Sequence, residues 1–187
     1  MTELRASDSI EPVDVIAFWQ DAGPDRWFAK DEAFDAAIAE RFLAVYEAAA
    51  AGRLAHWEAT ADGALALVIV IDQFPRNMFR DSARIYAADG LARMVADRAL
   101  SRGSDEAVAP ALRGFFYLPF EHSENLADQE RSVALHRACG DADGLKWAEH
   151  HADIIRRFGR FPHRNRVLGR TNTPAEQAFL DAGGFGG

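Results

Sequence analysis

The chain has little cysteine and no long apolar segment. Cys139 is the only cysteine among 187 residues, so no disulfide can form within the chain, and a reducing compartment fits. The first twelve residues lack the apolar core of a signal peptide. The longest apolar run, residues 64–71, is far too short to cross a bilayer. These absences predict a soluble, cytoplasmic protein that does not associate with membranes.

Common catalytic and metal-binding signatures are also absent. The sequence contains no Gly-x-Ser-x-Gly motif, Walker-type loop, Rossmann fingerprint, HExxH or CxxC spacing. Cys139 adjoins Gly140 at a predicted helix end, and nothing nearby in the sequence indicates an activating base. We therefore predict a structural cysteine, no bound cofactor and no metal. One metal alternative stays open, in which four side chains converge: Glu121, His122, His151 and His163.

Positive charge is scarce overall but concentrated in one stretch. The formal net charge is −8 and the pI is near 5.2, which argues against nucleic-acid binding. Residues 154–170 nevertheless contain six arginines, and no acidic residue occurs between Asp153 and Glu176. Such a patch needs a counter-charge, either from the protein's own carboxylates or from a bound anion. The patch therefore predicts where a site lies.

Apolar residues recur with helical spacing along most of the chain. Phe34, Ile38, Phe42 and Val45 define one such face. We predict a single all-α domain over residues 1–187, with a core at about 12–182, flexible ends and roughly eight helices in an antiparallel, TPR-like stack. The predicted helices are residues 12–19, 31–52, 62–74, 89–102, 110–118, 123–140, 145–158 and 173–183, with caps at Asp31, Asp62, Ser123 and Thr173 and stops at Pro75 and Pro119.

Asp72 ends the most apolar predicted helix, residues 62–74. A carboxylate there is unfavourable both because the site is buried and because the helix dipole is negative at that end. It therefore needs a cationic partner, either Arg76 or an arginine of the patch. A structural ion pair between two helices is the simpler alternative.

Two corners of similar sequence follow predicted helices. Residues 73–77 read Gln-Phe-Pro-Arg-Asn, and residues 160–165 read Arg-Phe-Pro-His-Arg-Asn. In each, Phe anchors the turn, Pro fixes its direction and Arg-Asn projects hydrogen-bond donors. If the corners face each other, we expect the side chains of Arg76, Arg160, His163 and Glu121 to converge on one cationic cleft. The alternative is that both corners only terminate helices.

Histidines near these corners could move protons. Glu121 and His122 lie side by side at a helix start and could form an acid–base pair. On the predicted helix 145–158, His151 shares the apolar face with Trp147 and is expected to be buried, whereas His150 is expected to be exposed. A lone buried histidine more often serves the core than a ligand.

Three strings resemble a bacterial family known as domain of unknown function 924: LALVIVIDQFPRNMFR, RGFFYLPFEHSENLADQ and HADIIRRFGRFPHRNRVLGRTNTPAE. The resemblance runs from about Phe18 to Phe179 and implies a fold of the tetratricopeptide type, but no established activity. Asp81, Gly90 and Arg166 depart from the pattern. The positions that match are Asp72, Gln73, Pro75, Arg76, Asn77, Glu121, His122, Ser123, His151 and residues 159–165.

These observations predict a binding or scaffold protein whose cationic cleft takes a small anionic ligand or an acidic peptide. The alternative is an enzyme, in which arginines hold a phosphate or carboxylate while His122 or His163 moves protons, oriented by Glu121 or Asp72. A third possibility is that the motifs are wholly structural. The ligand-binding candidates are Asp72, Arg76, Asn77, Glu121, His122, His151, Arg160, His163, Arg164 and Asn165, and the catalytic candidates are His122, His163 and Glu121. The oligomeric state stays open.

Overall fold

The computed structural model describes residues 10–186, and every regular element within that range is helical. The prediction of an all-α fold is confirmed. Residues 1–9 and 187 of the predicted flexible ends lie outside the described residues. The α-helices are α1 Pro12–Ala22, α2 Pro24–Trp27, α3 Glu32–Ala50, α4 Ala61–Val68, α5 Phe74–Met78, α6 Asp89–Leu100, α7 Ser104–Ala107, α8 Leu118–Glu121, α9 Leu126–Cys139, α10 Ala142–Phe158 and α11 Pro174–Asp181.

Short helical turns connect several of these helices. A π-helical turn, Ile69–Gln73, joins α4 to α5. The 3₁₀ turns are Ala55–Ala59, Ala83–Tyr86, Pro110–Phe116 and Pro162–Arg164. No helix within residues 10–186 combines the length and apolar character that a membrane crossing requires.

The centre of the core is α4 together with its π turn. Every side chain from Ala64 to Ile71 is at most 3% exposed. This segment packs against α1, α3 and α6, and the aromatic rings of Trp19, Phe42 and Phe74 close around it. A helix that is apolar on all sides must be enclosed by others, so the sequence-based expectation of a central helix is confirmed.

Pro75 does not end this helix, so that prediction is wrong. A proline inside an α-helix lacks a donor, and its ring clashes with the carbonyl four residues earlier. Here the chain widens into the π turn before Pro75, and the backbone N–H of Phe74 donates to the carbonyl of Ile69. The helical path then continues through α5. This wide turn holds Asp72 in the interior, and such turns are frequent at functional sites.

Two of the four predicted caps are shifted by two residues. Asp31 and the capping box opened by Thr173 are confirmed. Thr60, rather than Asp62, caps α4, because its hydroxyl accepts the backbone N–H of Gly63. Asn125, rather than Ser123, caps α9 through the N–H of Ala127. Neighbouring capping residues have similar propensities, so sequence spacing alone did not separate them.

Pro119 also fails to act as a stop. It occupies the second position of α8, where a missing N–H costs no helical hydrogen bond. The aromatic segment before it, predicted as a helix over 110–118, is the 3₁₀ turn Pro110–Phe116. The 3₁₀ turn and the short helix α8 therefore follow each other closely and place Glu121 and His122 near the core.

Helices α9 and α10 pack along each other and form the carboxyl-terminal part of the fold. Of the residues that helical spacing predicts on the apolar face of α9, Val133 is buried and Leu135 packs against the core, but Leu126 is 39% exposed and Ala134 is also exposed. The buried face is mostly polar and consists of Gln129, Ser132, Val133 and His136. Trp147 on α10, expected on the apolar face beside His151, is likewise more than half exposed, and so is Met94 on α6.

The tight approach of α4 to the preceding turn depends on Gly63. A Cβ atom at this position would lie 2.0 Å from the backbone oxygen of Trp57. We expect Gly63→Ala to lower the free energy of unfolding by about 1–3 kcal/mol, because the backbone must move to relieve the overlap.

The matched control is Gly90→Ala in α6, where a Cβ meets nothing within 4 Å. That change is expected to be neutral or to stabilise by up to about 1 kcal/mol through helix propensity. Urea unfolding of both variants measures the difference. Equal stability of the two variants would contradict the proposed packing.

Candidate functional site

The Asp72 carboxylate is fully buried and has three partners. Its Oδ2 accepts a 2.6 Å hydrogen bond from Nε2 of Gln73. Its Oδ1 lies 3.0 Å from Nδ1 of His122 and 3.6 Å from Nη1 of Arg76, which also donates to the Asp72 carbonyl. Burial favours the protonated acid, but Arg76 and His122 outweigh it and lower the pKa of Asp72 to about 2. The predicted contact with an arginine from a Phe-Pro corner is confirmed.

His122 is held as a neutral imidazole. Burial lowers its pKa, the positive charge of Arg76 lowers it further, and Asp72 opposes both effects. Since Nδ1 faces the Asp72 carboxylate, the proton resides on Nδ1. Nε2 is then an unprotonated acceptor. The predicted acid–base pairing of His122 with its neighbour Glu121 is therefore replaced by pairing with Asp72.

The two Phe-Pro corners meet through Asp89, the first residue of α6. Nη2 of Arg76 lies 3.2 Å from Oδ1 of Asp89, and Nη1 of Arg164 lies 3.7 Å from Oδ2. The second corner therefore contributes Arg164 to the centre, not Arg160. In the sequence Asp89 is recognisable only as the start of a helix, because acidic residues are common at that position.

Arg160 points away from this centre. Its guanidinium makes two hydrogen bonds of 2.5 and 2.8 Å to Glu176 and a third of 2.9 Å to the carbonyl of Thr171. This arrangement ties the second corner to the amino-terminal turn of α11. The role of Arg160 in the structure is thus to anchor that corner.

A cleft of about 480 Å³ lies beside the ion pairs that Asp89 makes with Arg76 and Arg164. It is lined by Tyr86, Asp89, Gly90, Arg93, His122, Ser123, Glu124, Asn125, Arg164 and Leu168. Of the ligand-binding candidates, only His122 and Arg164 belong to this lining. The predicted convergence of Arg76, Arg160, His163 and Glu121 on one cleft is wrong.

Arg164 is buried in this cleft between two aromatic rings. Its guanidinium carbon lies 4.4 Å from the ring centres of both Tyr86 and Phe161, and the residue is 6% exposed. Its side chain donates no hydrogen bond to any other residue in the described range, and its Nε is buried without a partner. Burial lowers the pKa of Arg164, and repulsion from Arg76 adds to that effect.

Glu124, which lines the cleft, is hydrogen-bonded to the second corner and to the segment that follows it. Its carboxylate accepts two hydrogen bonds of 2.7 and 2.8 Å from Arg170 and one of 2.8 Å from the backbone N–H of Phe161. This interaction is not evident from the sequence, because the helix dipole already explains an acidic residue near a helix start. The uncompensated arginine patch was the one signal that a distant carboxylate was required.

The two asparagines of the corners lie outside the cleft. Asn77 donates a 2.7 Å hydrogen bond from Nδ2 to Asp35 on α3. Asn165 donates one of 2.8 Å from Nδ2 to the side chain of Asn172. Both residues fasten their corners to neighbouring segments.

Glu121 lies in a separate buried polar cluster between α8, α9 and α10. Its Oε1 is 3.1 Å from Nδ1 of His151, which is also 2.8 Å from the carbonyl of Trp147, and its Oε2 is 3.8 Å from Nε2 of His136. Burial raises the pKa of Glu121 to about 8, with added repulsion from Asp72, and burial lowers the pKa of His151 to about 3. The contact between Glu121 and His151 is therefore one between neutral groups.

His151 is buried and His150 is exposed, as predicted. His163 packs among rings, with its centre 5.6 Å from that of Phe161 and 5.2 Å from that of Phe185. Burial lowers its pKa to about 3. Within residues 10–186, no three or more His, Cys, Asp or Glu side chains are grouped to hold a metal ion, so the alternative metal set is not assembled.

Asp81 and Arg166, two of the residues expected to depart from the family pattern, pair with each other. Arg166 donates a hydrogen bond to Asp81, and both side chains are 75% exposed. The pair lies on the surface and away from the cleft lining. Gly90, the third of these residues, does line the cleft.

The raised pKa of Glu121 makes stability depend on pH. The carboxyl loses its proton near pH 4.5 in the unfolded chain and near pH 8 in the fold, so unfolding becomes easier as pH rises between these values. The free energy of unfolding falls by about 1.4 kcal/mol for each pH unit in this window. We expect Glu121→Gln to remove this loss, so that the variant gains stability over the wild type between pH 5 and pH 8.

Chemical denaturation of both proteins at the two pH values measures this gain. Glu149→Gln, an exposed position on α10, is the control and is expected to follow the wild type. A Glu121→Gln variant that loses as much stability as the wild type would rule out a buried neutral carboxyl.

Comparison with known proteins places the chain in a family. A search of curated proteins gives no match. The structure of a protein of unknown function from Agrobacterium tumefaciens is similar, with 49% sequence identity and a TM-score of 0.89 over 91% of this chain and 97% of that one. The family profile described as "Bacterial protein of unknown function (DUF924)" matches residues 15–184. The resemblance carried by the three motifs is thereby confirmed, and the chain belongs to this family.

Proposed function

We propose that the chain binds a small molecule bearing a carboxylate or phosphate in the cleft, with Arg164 as the anchor. The observation that carries this proposal is the state of the Arg164 side chain. It is buried and lines the cleft, yet it donates no hydrogen bond to the described residues. A guanidinium has five N–H donors in a planar fork that matches the oxygens of a carboxylate or phosphate.

The geometry of Arg164 favours binding over a purely structural role. Leaving buried donors unpaired costs free energy, which acceptor oxygens of a ligand would recover. Tyr86 and Phe161 both pack against the guanidinium and reduce the entropy it would lose on binding. A structural arginine would be expected to donate to nearby carbonyls or carboxylates, as Arg160 does.

The same contacts favour a small ligand over an acidic peptide. Much of the arginine patch is paired within the protein: Arg160 with Glu176, Arg166 with Asp81 and Arg170 with Glu124. An acidic peptide would therefore meet few available cations. A cleft of about 480 Å³ is of the size that encloses a small molecule.

Arg164→Met tests the anchor, because methionine fills space between the two rings and has no donor. We expect acetate and inorganic phosphate to raise the melting temperature of the wild type at matched ionic strength and to lose that effect in the variant. Isothermal titration should give at least tenfold weaker binding to the variant.

Arg166→Met, which removes an arginine at the surface, is the matched control and should bind as the wild type does. Excluded salts stabilise many proteins without binding. An equal temperature shift in the wild type and Arg164→Met would therefore assign the effect to exclusion and contradict the proposal.

A second candidate function is catalysis on the bound molecule, and the pairing of His122 with Asp72 favours it. The carboxylate holds the imidazole in one tautomer, and the lowered pKa of His122 keeps Nε2 unprotonated near neutral pH. Such a nitrogen beside a bound anion is suited to remove a proton as a general base. Glu121 and His163, the other catalytic candidates, do not line the cleft.

Turnover of a panel of small carboxylates and phosphates, followed by NMR, tests this second function. If a substrate is found, His122→Gln is expected to lower the rate by about 10²–10⁴-fold while binding persists. His150→Gln, at an exposed position, should leave the rate unchanged. Full activity of His122→Gln would exclude His122 as the base.

A further inference from the structure

We infer that the ligand of this cleft is a zwitterion that carries a carboxylate and an ammonium group close together, as a free amino acid does. The inference rests on the proposed function and specifies its ligand class. It follows from the acceptor groups that line the cleft beside Arg164.

Asp89 and Arg164 form an open ion pair. Oδ2 of Asp89 lies 3.7 Å from Nη1 of Arg164, too far for a hydrogen bond. The only side-chain hydrogen bond to Asp89 within the described residues reaches Oδ1, from Arg76. Both facing atoms of the pair thus retain hydrogen-bonding capacity. A ligand with an anionic and a cationic group side by side would satisfy the two together.

Glu124 adds a second carboxylate to the same lining. Its oxygens already accept three hydrogen bonds, from Arg170 and Phe161, and its side chain is 27% exposed. A carboxylate offers about four lone-pair sites, so one acceptor position is left. Burial opposes ionisation of Glu124, but the hydrogen bonds from Arg170 and Phe161, helped by the charge of Arg164, outweigh it and lower the pKa, which keeps this carboxylate ionised.

His122 supplies a third acceptor that carries no charge. Its Nε2 is free to accept because Nδ1 is engaged with Asp72. An ammonium group has three N–H donors, and Asp89, Glu124 and His122 match that number. A protonated histidine at this position would repel an ammonium, whereas the neutral ring attracts it.

The balance of charge in the cleft favours a zwitterion over simpler ions. Its lining contains two acidic residues, Asp89 and Glu124, and two arginines, Arg93 and Arg164. A phosphate dianion would meet two carboxylates, and a simple amine would meet two guanidinium groups. A zwitterion adds no net charge and brings both of its groups to opposite partners.

Wild-type protein and matched probes provide the test. The twenty common L-amino acids are screened by thermal shift, and the best binder is then titrated calorimetrically beside its deamino acid and its decarboxylated amine. For alanine these counterparts are propionate and ethylamine. We expect the amino acid to bind at least tenfold more tightly than either counterpart and than inorganic phosphate.

Asp89→Asn tests the contact to the ammonium group of the ligand separately from the contact to its carboxylate. The variant should bind the amino acid at least tenfold more weakly but the deamino acid within about twofold of the wild type. Because Asp89 also pairs with Arg76, the fold of the variant is checked by circular dichroism, and the wild-type probe series decides the question if the variant unfolds.

The outcomes distinguish this inference from the proposed function. Equal binding of the amino acid and its deamino counterpart would overturn the zwitterion and leave an anion site. Equal weakening of both by Asp89→Asn would also overturn it. Failure of every amino acid, carboxylate and phosphate to bind would overturn both.

Discussion

The pairing of the buried Asp72 carboxylate with Arg76 and His122 is the constraint on which the site depends. An isolated ionised carboxylate in a protein core is very costly, so its partners must be in place whenever the chain is folded. Asp72 lies in the π turn that joins the most buried helix to the first Phe-Pro corner. Through this one group the core sets the position of Arg76, and through Arg76 that of Asp89. The cleft is therefore built outward from the interior.

Local patterns in the sequence predicted the helices and some of the interactions at their ends. The caps at Asp31 and Thr173 and the need of Asp72 for a cationic partner follow from short-range rules of propensity and charge, with Arg76 as one of the two partners left open. The choice between Arg160 and Arg164 does not, because it depends on how the 3₁₀ turn Pro162–Arg164 rotates each side chain. Single-sequence reasoning has no means of fixing that rotation.

Other parts of the site could not be predicted, because local structure alone already accounts for the presence of their residues. Asp89 and Glu124 stand near helix starts, where an acid is expected in any case. The polar face of α9 was missed since helical periodicity assumes that buried residues are apolar, and Gln129, Ser132 and His136 break that assumption. Buried polar residues become interpretable only when their partners, here grouped around Glu121, are known.

A series of tilted and edge-on ring contacts links the cleft to the end of the described chain. From Arg164 it passes to Phe161 at 4.4 Å, then to His163 at 5.6 Å and to Phe185 at 5.2 Å. The backbone N–H of Gly184 donates to the carbonyl of Phe179, which sets the path into Phe185. Phe185 therefore belongs to the packing that positions Phe161 against the Arg164 guanidinium, although it lies outside the cleft lining.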